Sequence, residues 1–96
     1  MTLEARKFRA QDAKQLNENP MLVEAFKAIE AMLTSSALSC DPDHKEKAQR
    51  IIISLQLLAG IKREITRVIN DGLIAEVQMS ELEQKKNFSL KNVFRR

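Results

Sequence analysis

The chain has 96 residues, enough for one domain and too few for two. It has no Trp or Tyr, four Phe, two Gly and two Pro, and it is dominated by Ala, Leu, Ile, Glu, Lys, Gln and Arg, which excludes an aromatic core and favours helix throughout. Net charge is +3, but the five basic residues after Gln84 (Lys85, Lys86, Lys91, Arg95, Arg96) have no acidic neighbour, so taking +5 from +3 leaves a slightly acidic body at −2.

Cys40 is the only cysteine, which rules out a disulfide within the chain and fits a reducing compartment. No apolar run approaches the roughly 20 residues that cross a bilayer. The N-terminal residues lack the apolar segment of a signal peptide, and the expectation is a cytosolic product without membrane contact.

The first segment predicts a helix from Thr2 to about Asn17, with Thr2 as its cap and Glu4 in the first turn. Its apolar positions (Leu3, Phe8, Ala13, Leu16) are sparse, so it should rest on another element rather than form a core. Arg6, Lys7, Arg9 and Lys14 make a small basic cluster that Glu4 and Asp12 dilute, which reads as a solvated face.

Asn19-Pro20 then supplies an N-cap followed by a proline at the first helical position, where its missing N–H is not needed. A second helix over Pro20–Ser36 follows from Leu22, Ala25, Phe26, Ile29, Met32 and Leu33 at i, i+3, i+4 and i+7 spacing. Residues 34–43 read as a loop. Asp41 before Pro42, or Asp43 with Glu46 three residues on, could cap the next helix.

The third helix is expected to run to about Asn70, stopped by Asn-Asp-Gly with Gly72 as a left-handed cap. One apolar stripe holds Ala48, Ile51, Ile52, Leu55, Leu58, Ala59, Ile65 and Val68 or Ile69. A second holds Ile53, Leu57 and Ile61. Together they exceed what one antiparallel neighbour covers, which predicts a homo-oligomer with Ile53, Leu57, Gly60 and Ile61 at the self-association surface. Gly60 either admits a close helix or is simply tolerated. A shorter helix over Leu73–Lys86 and an extended basic tail complete the chain, so the domain should end at residue 86 and the tail occupy 87–96.

Chemistry finds little support. Cys40 and His44, with Asp41 and Asp43 between them, fall short of a four-ligand zinc site and lack a third group to orient a nucleophile–base pair. The glutamates fall on solvated helix faces, and no Gly-x-Gly phosphate loop exists. The expectation is a protein that is not an enzyme and carries no metal or cofactor. The tail differs: Phe88, Leu90, Val93 and Phe94 alternate with Lys91, Arg95 and Arg96. These residues either fold back over the second stripe or dock in a partner's groove with the basic groups on an acidic rim. Phosphate contact is the less favoured reading, because nothing there would read bases.

Two stretches carry a resemblance. Glu18-Asn19-Pro20-Met21-Leu22-Val23-Glu24-Ala25-Phe26 with Ile29-Glu30, and Gln56-Leu57-Leu58 through Lys62-Arg63-Glu64-Ile65 to Asp71-Gly72-Leu73-Ile74-Ala75-Glu76, are similar to short helical-hairpin proteins of tailed bacteriophages. The resemblance covers about residues 18–76 and rests on caps and core positions, so it transfers no functional residue. It implies a phage product of the host cytoplasm and virion, encoded alongside head and packaging genes. The combined expectation is an all-α antiparallel hairpin with a flanking N-terminal helix. It would be a virion or assembly protein partnered by a portal or capsid protein. The competing expectations are an inhibitor of host defence and a packaging or regulatory nucleic-acid binder.

Overall fold

A computed structural model describes residues 1–94, with side chains through Ser89. Those residues form three helices and no strand: α1 (Leu3–Glu18), α2 (Pro20–Leu38) and α3 (Lys45–Phe94). None of these helices is long and apolar enough to cross a membrane.

The caps follow from local chemistry. The Thr2 hydroxyl accepts from the Ala5 backbone N–H at 3.1 Å and opens α1. Asn19 serves two helices. Its backbone N–H donates to the Leu16 carbonyl, closing α1, while its side-chain oxygen accepts from the N–H groups of Met21 and Leu22, opening α2 ahead of Pro20. The α2 helix runs two residues past Ser36, and Ser39 ends it with both its N–H and its hydroxyl on the Ser35 carbonyl. Neither aspartate caps α3. The His44 carbonyl accepts the first helical hydrogen bond from Ala48, and Asp41 instead turns its carboxylate onto the Asp43 N–H at 2.9 Å.

Two further expectations fail at residues 70–94. Gly72 is not a left-handed stop, because no described residue has a positive φ and α3 passes straight through Asn-Asp-Gly. The separate short helix and the extended tail are therefore one continuation of α3, with no break at 86–87 and helix through Phe94. Arg95 and Arg96 lie outside the described residues.

Packing runs antiparallel along α3 in two pieces. Residue numbers rise along α1 and α2 as they fall along α3: Arg6 meets Gln78, Ala10 meets Gly72, and Glu30 meets Lys62. The N-terminal helix was expected beside a hairpin of the other two. It instead lies end to end with α2 as one broken arm, and it packs on α3 more extensively than α2 does. Seven-residue spacing on α3 lines up Ile51, Leu58, Ile65, Gly72 and Met79, all buried or half-buried, as the seam of a coiled-coil-like contact.

The core is thin. Its buried apolar residues are Ala10, Ile51, Leu58, Val68 and Ala75, and α2 contributes none. The molecule measures 81 × 25 × 18 Å with a radius of gyration of 22.2 Å, whereas a compact chain of this length would have about 12.5 Å. Its 8058 Å² of accessible surface is about 2,400 Å² more than a compact monomer of its mass exposes.

Candidate interaction surfaces

The most extensive side-chain hydrogen bonding among the described residues joins α1 to α3. Arg6 donates from Nε to Asp71 Oδ2 at 3.0 Å and from Nη2 to Oδ1 at 2.8 Å, a paired fork-to-carboxylate geometry. Its Nη1 reaches Gln78 Oε1 at 3.3 Å. Hydrogen bonding from Arg6, reinforced by its charge, holds the Asp71 carboxyl below the usual carboxylate range, and burial opposes this more weakly. Lys7 lies 3.9 Å from Glu76 on the other flank. Arg6 and Lys7 therefore orient α1 rather than forming a purely solvated face. The sequence signal for this is Asp71 itself, within the Asn-Asp-Gly run that also reads as a helix stop.

Directly beneath, Gly72 faces Ala10. A Cβ at Gly72 would overlap the Ala10 methyl and stand 3.4 Å from the Arg6 carbonyl. Within the chain, the close helix approach occurs at Gly72. Gly60 is open within the chain, where an added Cβ would meet only Arg63 Nη2 at 3.9 Å. The other residues expected at a self-association surface, Ile53, Leu57 and Ile61, are all exposed.

The C-terminal part of α3 extends past the start of α1. Every residue from Glu81 to Ser89 is exposed, including Leu82 and Phe88. Phe88 is 66 % exposed, so it does not fold back over the second stripe. Leu90, Lys91, Val93 and Phe94 belong to the helix, but their side chains lie outside the described residues, as do Arg95 and Arg96 entirely. Lys85 and Lys86 are exposed on the same stretch of helix as Glu81 and Glu83, so its described part is mixed in charge.

The Cys40 loop is a turn. Cys40 Sγ is 3.6 Å from the Asp41 carbonyl oxygen, and among the described residues no three His, Cys, Asp or Glu side chains gather as a metal cluster. A shallow groove lined by Lys27, Glu30, Thr34, Leu38 and Leu55 runs between α2 and α3. Comparison of the chain with protein-family models, with curated proteins and with solved structures yields no match.

Proposed function

We propose that this chain is a non-enzymatic assembly protein that acts by helical self-association and by docking the C-terminal end of α3 on a larger structural partner. The observation that supports it best is the unpartnered length of α3 after Met79, whose exposed Leu82 and Phe88 gain nothing in an isolated chain. The surplus of exposed surface points the same way. The resemblance of residues 18–76 to helical-hairpin proteins of tailed phages favours a particle, with the portal or the inner capsid surface as the partner.

The test is incorporation into particles, read by mass spectrometry of purified virions. The full chain should appear in stoichiometric copies, and a chain lacking residues 87–96 should be missing from particles while its soluble form stays helical. Equal incorporation of the truncated chain removes the docking reading. Recovery of the protein only with a host factor would favour the host-defence inhibitor. Affinity for DNA that falls steeply with salt would favour the packaging or regulatory role.

A further inference from the structure

The α2 half of the molecule has two unlike sides. Its packed line is Leu22, Phe26 and Leu33 of α2 against Ile51, Leu58 and Ile65 of α3, all of them buried or half-buried. One side is marked by Lys62, whose Nζ sits 2.8 Å from Glu30 Oε1 and 5.6 Å from the centre of the Phe26 ring. At about 100° per residue, Ile53, Leu57 and Ile61 lie on the flank of α3 opposite Lys62. By the same rotation Ala25, Ile29 and Met32 lie on the flank of α2 opposite Glu30. Since Lys62 and Glu30 meet on one side, the two apolar flanks share the other.

That shared face is exposed, with Leu57 at 66 % and Met32 at 60 %. None of the three charged residues of α2, Glu24, Lys27 and Glu30, falls on it. On α3 the apolar run is bracketed by Arg50 on one side and Glu64 on the other, each seven residues from Leu57. A two-fold axis at Leu57 therefore sets Arg50 against Glu64 of the partner subunit, and Ile53 against Ile61 of the partner subunit. The face is complementary to itself turned end for end, which is what an isologous contact requires. The surplus of about 2,400 Å² exceeds the roughly 800 Å² that each partner contributes to a standard interface.

We infer that a second copy of this chain covers the face, forming an antiparallel dimer in which α2 and the first half of α3 from each copy make a four-helix bundle. The two-fold axis passes at the level of Leu57 and Met32. Lys62 and Glu30 stay on the outer, solvated side. Glu64 is already held by Arg67 on its own helix, with Nη2 to Oε1 in contact and Nε at 3.0 Å from Oε2, and Arg50 of the partner subunit joins that pair as a third member. This inference deepens the self-association part of the proposed function and is independent of the docking of the C-terminal end.

Charge reversal in the full chain tests it, with mass read by light scattering and sedimentation equilibrium and with helix content as the folding control. The wild type should run at twice the 11.0 kDa chain mass. Arg50→Glu and Glu64→Arg should each weaken the dimer, by about tenfold because symmetry counts every change twice. The double variant should return to within about threefold of wild type. Within one helix the two residues are 14 positions and about 21 Å apart, so rescue requires contact between chains. In a Cys40→Ser background, Leu57→Cys should form a disulfide-linked dimer under mild oxidation, whereas Ile53→Cys should not. A wild type that stays monomeric, or a double variant no tighter than the singles, overturns the inference. Incorporation that still depends on residues 87–96 would then leave the docking reading standing.

Discussion

Ala10 of α1 and Gly72 of α3 meet with no room for a methyl group between them. This contact sets how closely the two helices approach, and the paired hydrogen bonds from Arg6 to Asp71 set their register one turn away.

The two glycines should therefore respond to alanine in opposite directions. Both sit inside α3, where helix propensity alone favours Ala by about 1 kcal/mol. Gly60→Ala brings its methyl only into ordinary contact with the Arg63 side chain and should raise stability by about 0.5–1 kcal/mol. Gly72→Ala must displace a buried residue on a helix backbone and should lower stability despite the propensity gain. Gly72→Leu should cost about 1–3 kcal/mol, the range of overpacked interfaces. At about 4–8 °C per kcal/mol for a domain of this size, thermal melts separate these outcomes. Ala10→Gly should restore part of the loss in Gly72→Ala.

Acid should loosen α1 first. Asp71 has its carboxyl pKa lowered in the folded chain, chiefly by hydrogen bonding from Arg6. Its contribution is complete above the unfolded value near 3.8 and disappears as pH falls through the lower folded value. Melting temperature against pH should drop below about pH 4, and Asp71→Asn should flatten that drop while lowering stability at neutral pH. An unchanged acid limb in Asp71→Asn would show that other carboxylates control it.

Hydrogen exchange should divide the broken arm. Amides of α2 should exchange faster than those of α3 between Val68 and Ala75, because α2 buries no residue and is held by half-buried contacts. Lys62→Ala removes both the ion pair to Glu30 and the contact over Phe26. It should speed exchange in α2 further, cost no more than about 1 kcal/mol, and show a smaller effect at high salt. Association of two copies should slow α2 exchange as concentration rises.

Removing residues 87–96 should leave the melting temperature within about 2 °C of the full chain, since nothing from Glu81 to Ser89 is buried. Removing residues 75–96 should instead collapse the fold, because Ala75 and Gln78 go with them.

The local grammar of the sequence was readable where one turn of chain decides the outcome. Thr2, Asn19 and Pro20 each act as their side chains dictate, and the start of α2 falls at the expected residue. The departures beyond Ile69 share one cause. Asn70-Asp71-Gly72 is an equally good helix end and helix interior by local rules, and the choice belongs to Arg6 and Ala10, more than 60 residues away. Without those distant residues, local rules divide the continuation of α3 into a helix and a tail and leave α1 without a defined partner. Of the candidate surfaces, Ile53, Leu57 and Ile61 were legible from their spacing alone. The apolar flank that Ala25, Ile29 and Met32 share with them was not, because it appears only when Glu30 and Lys62 fix the rotation of one helix against the other.

The helical state of residues 79–94 changes what that segment can transmit. A flexible chain of 16 residues would have a root-mean-square reach of about 22 Å, spread over a wide distribution. The helix spans nearly the same distance, about 24 Å, as a single value. It behaves as a ruler: whatever its tip touches is held at a fixed offset and a fixed azimuth from the Ala10–Gly72 crossing. Inserting one residue at 80 would turn the tip by about 100° while moving it only about 1.5 Å.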